Sequence, residues 1–477
     1  MKRKWFLFVA VILLSGFVAY RAIVIPITHD EASTWLNFRH YNLWSCLSNY
    51  YCWQSANNHW LNSLLMQWSA SIFGDTLLGL RLPNVLAGAL YFISATLIST
   101  RYIKNIWLQI AGFFLLCAHL YLLDFFSLFR GYGLVMCGML WGIYSLLRYG
   151  EHYHFRWLVA CVCIMFLSVL SNFTAILPFL SMGLLWFGWV VVSHRFSLIL
   201  KHGFVWLVFS GLLYLLLSYP FRIFRNEGEL VWGSKNLWAL SIDLAKNLLY
   251  GFPYGSDHIS TVLVLFLLFI FFLSGLFVLL HRKFNSISPV ILALCFLMIN
   301  LGVIFLYQKG TGSSMPIGRK STYLIPVIFT PLALCLGLIR QNTVCITLGL
   351  FVSGILLFHS FRPHAWASSR EWYYDAYYPE LFSSILHDQQ PDDSIRLGSS
   401  WIFYPSLAFY QQARNIPLSG LAYQRPLIID STRDYFFVES ADSIGMHAHG
   451  FALAKNIGPF FLFRKISEPI IAVETKN

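Results

Sequence analysis

Long apolar stretches take up most of this sequence and leave few folds open to it. A helix needs about 20 apolar residues to cross the hydrocarbon core of a bilayer, and only helices and closed barrels satisfy their backbone hydrogen bonds there. About eleven stretches approach that length: Trp5–Ile25, Leu82–Ser99, Ile106–Leu123, Gly131–Leu147, Trp157–Ser171, Thr174–Val192, Phe204–Tyr219, Ser260–Leu280, Pro289–Leu306, Tyr323–Ile339 and Thr343–Phe361. The sequence therefore predicts an all-α polytopic membrane protein with about eleven transmembrane helices.

Charged residues are scarce and unevenly placed, which supports this prediction. They make up 11% of the chain, at a mean hydropathy of +0.62, against roughly 25% in soluble domains. The formal net charge of +12 comes from Lys and Arg in alternate connections, among them Lys2, Arg3 and Lys4 before the first stretch. Membrane proteins gather such residues in the cytoplasm. We therefore expect a cytoplasmic N-terminus with an uncleaved anchor, and no nucleic-acid partner.

The opposite, outer side carries the long loops. The first runs from 28 to 81, and its segment from Trp60 to Ile72 has apolar residues at helical spacing, which predicts a helix lying in the interface. Cys46 and Cys52 share this loop, where a disulfide and two free thiols are both open interpretations.

The composition shifts after Phe361. Short strand-like runs at Ser394–Gly398, Tyr435–Glu439 and Gly458–Lys465 are separated by prolines and a helical pattern. We predict two domains: a transmembrane domain over 1–361, with its catalytic outer loop at 28–81, and a small extracytoplasmic α/β domain over 362–477.

Two adjacent carboxylates, Asp30 and Glu31, follow directly on the first apolar stretch. Carboxylates are costly to hold at a membrane, so their presence there favours a function. One of them could act as a general base that takes a proton from an attacking hydroxyl. The alternative interpretation is a solvated pair that merely ends a helix.

Two further stretches offer cations for an anionic ligand. Asp124 and Arg130 lie in a short outer connection, where they either neutralise each other or leave Arg130 to grip an anion with its planar fork. Arg319 and Lys320 end a basic loop from Lys309 that resembles a phosphate-binding P-loop only at a glance, because its glycines are spaced one residue too far apart. A lipid phosphate suits this loop, and snorkelling anchors are the alternative.

The histidines give a weaker signal. His447 and His449 would share one face of a strand and so could ligate a metal. No carboxylate or thiol stands beside them in sequence, so we interpret them as surface residues. His29 and His59 lie in the same outer loop as Asp30 and are further candidate site residues.

Four short motifs carry a resemblance to a known family. They are His29-Asp30-Glu31-Ala32, Phe73-Gly74-Asp75 leading to Leu80-Arg81-Leu82-Pro83-Asn84, Phe129-Arg130-Gly131-Tyr132, and Tyr323-Leu324-Ile325-Pro326. Together they resemble the polytopic glycosyltransferases of the C-type fold that use polyprenyl-phosphate sugars. The bacterial relatives of protein O-mannosyltransferases and of the lipid A aminoarabinose transferase are nearest in pattern. Tyr323, which opens the last motif, is a further candidate site residue.

The resemblance implies an inverting transfer of a sugar from a polyprenyl phosphate to an extracytoplasmic protein, lipid or polysaccharide acceptor in a bacterial inner membrane. It implies Asp30 as the base, with Glu31 orienting the acceptor or joining Asp30 in binding a divalent Mg or Mn ion. Arg130, Arg319 and Lys320 would stabilise the departing phosphate. In one departure, this chain reads Asn57-Asn58-His59-Trp60 where relatives often have paired prolines.

Two other functions are alternatives. A polymerase or ligase of lipid-linked oligosaccharides would share the large outer loops. A lipid or solute transporter would carry ionisable groups at mid-membrane and broken helices in paired halves, whereas the charges here lie at the ends of the apolar stretches.

Overall fold

The computed structural model describes residues 5–41, 55–229, 233–250, 257–280, 288–339, 343–361, 366–387 and 394–466. Lys2, Arg3, Lys4, Cys46 and Cys52 lie outside these residues, so the interpretations placed on them stay predictions. Two compact units form the chain. The first comprises Met1–Val24 and Phe38–Glu371, and the second comprises Ile25–Asn37 and Trp372–Asn477.

The α-helices run in chain order as α1 (Trp5–Val24), α2 (His29–Phe38), α3 (Trp60–Phe73), α4 (Leu77–Tyr102), α5 (Ile106–Cys117), α6 (Leu120–Phe126), α7 (Gly131–His152), α8 (Phe155–Ser171), α9 (Ile176–Val192), α10 (Ser197–Asn226), α11 (Leu237–Leu248), α12 (Asp257–Leu280), α13 (Pro289–Thr311), α14 (Leu324–Leu336), α15 (Thr343–Ser360), α16 (Tyr378–Leu386) and α17 (Tyr404–Arg414). Each predicted apolar stretch lies on one or two of these helices, and the helix predicted in the first outer loop is α3.

Five of the described helical segments are long and apolar enough to cross a membrane: Trp5–Val24, Leu77–Tyr102, Phe173–Val192, Ser197–Asn226 and Pro289–Thr311. A sixth crossing is available if α5 and α6, which meet at a 63° bend, form one broken span. The chain is therefore a multi-pass membrane protein, and the count of eleven stays a prediction.

Small residues let the helices of the first unit approach closely. A Cβ on Gly88 would lie 3.1 Å from the Phe126 ring, and one on Gly142 would lie 2.8 Å from the Met165 sulfur. Close backbone approach of this kind is how helices pack in lipid, where hydrophobic burial gives no net driving force. The resulting core fixes the ends of α4, α6 and α7, which carry Arg81, Asp124 and Arg130.

The second unit contains a five-stranded sheet of order β2-β1-β3-β5-β4. Its strands are β1 (Ile395–Ser399), β2 (Leu418–Ser419), β3 (Tyr435–Val438), β4 (Phe451–Ile457) and β5 (Phe460–Lys465). β1 pairs in parallel with both β2 and β3, and the remaining pairs are antiparallel. The three predicted strands correspond to β1, β3 and β5. The prediction that His447 and His449 share one face of a strand is wrong. Both residues lie in a short 3₁₀ helix, which Met446 precedes and Gly450 ends.

Candidate functional site

The acidic segment of the second unit opens helix α2 through a reciprocal cap. The Thr28 backbone N–H and the Thr28 hydroxyl both donate to Glu31 Oε2 at 3.0 Å. In return the Glu31 backbone N–H points to the Thr28 hydroxyl at 3.4 Å. This Thr-x-x-Glu arrangement satisfies backbone donors that the first turn of a helix leaves without partners. Glu31 is fully buried, so its carboxylate contributes to the fold of this turn.

Asp30 lies beside that cap in the first turn of α2. Asp30 is only 6% exposed. Its backbone carbonyl accepts a hydrogen bond from the Thr34 hydroxyl at 2.8 Å. The structure thus separates the two acidic neighbours: Glu31 turns back onto Thr28, while Asp30 does not take part in the cap.

Asp375 is a third carboxylate in this region, and it comes from far along the chain. Its Oδ2 accepts the His29 backbone N–H at 2.7 Å, and its Oδ1 accepts the Ser406 hydroxyl at 3.1 Å. Burial raises the pKa of the Asp375 carboxyl well above its usual range, and the nearby charge of Asp30 adds to that rise. Asp375, from the C-terminal part of the second unit, therefore fixes the backbone of His29, the first residue of α2.

Two more contacts fix the same segment. His29 Nδ1 donates to the Ile402 carbonyl at 2.7 Å, and the Ile27 N–H donates to the Tyr410 hydroxyl at 3.3 Å. His29 is thus anchored through Nδ1, which leaves Nε2 as the ring nitrogen with a lone pair in the neutral form. The backbone leading into Asp30 is thus held at Ile27 and His29 by three contacts to the C-terminal part of the unit, which restricts where the Asp30 side chain can lie.

The cap gives a prediction that separates a structural role of Glu31 from a catalytic one. We expect Glu31→Gln to retain most activity, because glutamine closes the same cap. Glu31→Ala should lower stability by about 0.5–2 kcal/mol, the usual cost of a lost helix cap. Thermal unfolding in detergent and an activity assay on both variants measure this. Inactivity of a stably folded Glu31→Gln protein would show that the charge itself is needed.

In the first unit, Arg130 contacts His59. Its Nη2 lies 3.2 Å from His59 Nε2 and also donates to the Asn57 side-chain carbonyl. His59 Nδ1 in turn accepts the Gly131 backbone N–H at 3.1 Å. Arg130 is fully buried, and the predicted candidates Arg130 and His59 therefore belong to one polar cluster.

The motif residues around Arg130 explain how it is held. Asn84 donates to the Asn62 side chain at 2.8 Å, and Asn62 donates to the Phe129 carbonyl at 2.8 Å. A side chain on Gly131 would collide with the Ser171 carbonyl and with the His59 ring. Glycine at 131 is therefore the residue that lets the imidazole reach the backbone beside Arg130.

Arg319 and Lys320 lie on a 3₁₀ turn, Gly318–Ser321. Asp243 accepts the Gly318 N–H at 2.6 Å, which fixes the start of that turn. Burial lowers the pKa of Lys320, and the adjacent Arg319 lowers it further, whereas Glu229 acts in the opposite direction. Lys320 is therefore a partly desolvated ammonium, and such a group gains more from an incoming anion than an exposed lysine does.

A cavity of about 340 Å³ in the first unit is lined by both His59 and Lys320, whereas Arg130 contacts His59 but does not itself line the cavity. Its polar lining includes His59, Asn172, Glu229 and Lys320, and the rest is mainly aromatic and aliphatic. Arg319 is not among the residues that line it. Glu229 is held in place by hydrogen bonds from the Ala56 backbone and from the Ser55 hydroxyl.

The apolar end of this cavity continues along helices α9 and α10. A second cavity of about 320 Å³ shares Ile176, Leu180 and Phe221 with the first. A third, of about 750 Å³, shares Leu180, Phe179 and Ser210 with the second. The cavity lined by His59 and Lys320 thus has two apolar cavities beside it along these helices, an arrangement that suits an amphipathic ligand with a long hydrocarbon tail.

Asp124 and Tyr323 stand apart from this cavity. Asp124 does not neutralise Arg130; it pairs with Arg21 at 2.5 Å, both side chains being almost fully buried. Tyr250 and the Arg370 backbone also donate to Asp124. Tyr323 is fully buried just before α14 and does not line the cavity. Both residues are buried within the first unit, and a functional role for either one stays a prediction.

No cluster of three or more His, Cys, Asp or Glu side chains suited to a metal ion occurs among the described residues. The carboxylate of Glu31 is used by the Thr28 cap. A divalent ion bound by Asp30 and Glu31 therefore stays a prediction of the sequence resemblance.

Sequence reasoning missed two residues of these regions, Asp375 and Glu229, and the helix cap at Thr28. Asp375 and Glu229 lie in segments without a motif, and nothing local marks either residue. The cap of α2 could have been found, because Thr28-His29-Asp30-Glu31 matches the Ser/Thr-x-x-Glu signature of a helix start.

Comparisons with known proteins give only distant structural matches. No family model and no curated protein matches it. Matches among solved structures include ArnT from Cupriavidus metallidurans in the apo state, with TM-score 0.43 and 10% identity over 95% of this chain and 97% of that one. ArnT bound to undecaprenyl phosphate matches at 0.42 and 12%, covering 96% and 98% of the two chains.

An archaeal oligosaccharyltransferase, AglB from Archaeoglobus fulgidus in complex with an inhibitory peptide and a dolichol-phosphate, matches at TM-score 0.45 and 11% identity, covering 99% of this chain and 75% of that one. Likenesses of this strength carry no argument about chemistry. The functional conclusion rests on the contacts described above.

Proposed function

We propose that this protein is a membrane glycosyltransferase that moves a sugar from a polyprenyl-phosphate donor to a hydroxyl of an extracytoplasmic acceptor, with inversion at the anomeric carbon. The observation that carries the proposal is the cavity of the first unit, which Lys320 and His59 line and which neighbours two apolar cavities along α9 and α10. A site with a cation at one end and apolar side chains at the other suits a lipid phosphate, which has an anionic head group and a hydrocarbon tail.

The donor phosphate needs cations because the leaving group departs with a negative charge. Lys320 supplies an ammonium that is partly buried, and burial strengthens its attraction to phosphate. Arg130 lies behind His59, which lines the cavity, and its buried guanidinium adds positive charge next to that imidazole. Arg319, on the same turn as Lys320, adds longer-range positive charge. These roles are proposed for the donor and its leaving group.

The acceptor needs a base because a hydroxyl is a poor nucleophile. In the proposed step the acceptor oxygen bonds to the anomeric carbon while the bond from that carbon to the phosphate oxygen breaks. The bond electrons leave with the polyprenyl phosphate, and the hydroxyl proton passes to Asp30. A single displacement of this kind inverts the anomeric configuration. The clamped backbone of α2 supports this role for Asp30.

The proposal is tested with the full chain reconstituted in nanodiscs and given a set of short-chain polyprenyl-phosphate sugars. Release of polyprenyl phosphate, together with an inverted anomeric centre in the product, would support it. Donor movement across proteoliposomes without phosphate release would reject it and favour a transporter. Retention of configuration would reject the single displacement.

The cavity cation gives a second prediction. Lys320→Met should raise the donor KM roughly 10- to 100-fold, since a hydrogen bond between charged groups is worth about 1.5–3 kcal/mol. The matched control is Arg319→Gln, which removes a cation from the same turn but not from the cavity lining and should change the donor KM much less. Initial rates over a range of donor concentrations measure both. Equal effects of the two changes would contradict a specific role for Lys320.

A further inference from the structure

The second unit carries an aromatic cluster that the proposed reaction does not use. We call the side chains of Trp401, Tyr404, Tyr423 and Arg425 the aromatic platform. The ring centroids of Trp401 and Tyr423 are 6.4 Å apart, and those of Tyr404 and Tyr423 are 6.0 Å apart, both in edge-on geometry. The Arg425 guanidinium lies over the Trp401 ring at 4.7 Å.

The aromatic platform is open to solvent, unlike the aromatic core of the same unit. Tyr423 is 55% exposed, Arg425 is exposed, and Trp401 and Tyr404 are partly buried. Core rings such as Phe403 and Phe437 are fully buried on the other side of these loops. The stacked guanidinium and the rings therefore stabilise one another at the surface without contributing to the core.

The sheet topology places this cluster where ligands usually bind in α/β folds. Trp401 lies just after the carboxyl end of β1, which is flanked by parallel β2 and β3. The chain leaves β1 toward β2 through α17 and then returns to β3 on the opposite side, so the strand order reverses here. Crevices outside the carboxyl ends of strands at such a reversal are the common ligand sites of open α/β sheets.

The same loop reaches the segment that carries the proposed base. The His29 ring lies edge-on to Trp401, with centroids 5.9 Å apart, and His29 Nδ1 donates to the carbonyl of Ile402. His29 directly precedes Asp30. A ligand on the aromatic platform would therefore lie within reach of the first turn of α2.

We propose that the aromatic platform binds a saccharide portion of the acceptor, an inference that rests on the proposed glycosyl transfer and names its acceptor class. Sugar rings present C–H faces that pack on aromatic rings, while their hydroxyls accept from guanidinium and phenol donors. Trp401 and Tyr423 supply the rings, and Arg425 and Tyr404 supply the donors. The positive charge of Arg425 favours neutral or acidic sugars over amino sugars.

The test measures binding rather than turnover, so that it is independent of the proposed reaction. Saturation-transfer NMR on the full chain in detergent would use three trisaccharides, one each of neutral hexose, N-acetylhexosamine and uronic acid, beside a hexapeptide. We expect at least one saccharide to respond, and Trp401→Ala or Tyr423→Ala to weaken its binding about five- to tenfold. Tyr373→Ala is the matched control, because Tyr373 is 56% exposed in the same unit and should have no effect.

Three outcomes would overturn the inference. No response from any saccharide, or a response equally strong in the Trp401 and Tyr423 variants, would remove the saccharide site, and a peptide signal that depends on these rings would assign the surface to a polypeptide. Failure of the donor assay with saccharide binding intact would instead reject the transferase and leave a saccharide-binding surface. Near-native thermal unfolding of both variants excludes loss of fold as the cause.

Discussion

Replacing Asp30 with asparagine should abolish sugar transfer while leaving the protein folded. Asparagine keeps the size and hydrogen-bonding capacity of the side chain but cannot take a proton. A positioned general base contributes about 10²- to 10⁴-fold to rate, so we expect kcat to fall by that factor. The helix cap that Glu31 and Thr28 form does not involve the Asp30 side chain, which is why the fold should tolerate the change.

The measurement is a reconstituted transfer assay that follows kcat and donor KM separately. Loss of a base should lower kcat and leave donor KM nearly unchanged, because the base acts on the acceptor. Asp434→Asn is the matched control in the same unit: Asp434 pairs with Arg396 on an exposed strand end and should keep wild-type rates. Turnover of Asp30→Asn within a few-fold of wild type would end the proposed role.

Removing the Asp124 carboxylate should be the most destabilising single change described here. Asp124→Ala would leave the Arg21 guanidinium, which is fully buried, without its ion-pair partner. Breaking a buried pair by deleting one partner costs about 3–5 kcal/mol. Tyr250 and the Arg370 backbone would lose an acceptor as well. We expect a large drop in the thermal midpoint in detergent, or failure to purify.

Two comparisons keep that prediction testable even if Asp124→Ala does not accumulate. Asp257 pairs with Lys246 at a position where its side chain is 76% exposed, so Asp257→Ala should leave the thermal midpoint unchanged. A double variant, Arg21→Met with Asp124→Leu, replaces the pair by apolar groups and should recover much of the loss, as is common for buried pairs. A double variant as unstable as Asp124→Ala would contradict the ion-pair explanation.

The sequence predicts the helical class of the first unit well because hydrophobic length has a direct physical meaning in lipid. It also predicts β1, β3 and β5 of the second unit from alternating and aromatic patterns. Hydrophobic length predicts less well which of these helices cross the membrane. α7 is 22 residues long but carries Arg148 and Glu151 near its end, and it falls outside the segments that meet the criteria for a crossing.

The site contacts that the sequence did not predict join residues that lie far apart along the chain. The sequence leaves open whether Asp124 neutralises Arg130, six positions away; in the structure its ion-pair partner is Arg21, at a separation of 103 residues. Asp375 reaches His29 across 346 residues. Spacing within a motif cannot encode such pairs, because they depend on how helices and sheets pack rather than on local geometry. The cationic candidates Lys320 and Arg130 were predicted by residue type, whereas the cavity lining could only be seen in three dimensions.

The clamp on His29 also has a consequence for biogenesis. A ribosome makes Asp30 at the beginning of synthesis, but Asp375, Ile402 and Tyr410 follow 346 to 383 residues after their partners. At about 5–20 residues per second, that delay lasts roughly 20 to 70 s. A nascent chain would therefore lack all three contacts to the acidic segment while its first helices are made, and would complete them only after Tyr410 is synthesised.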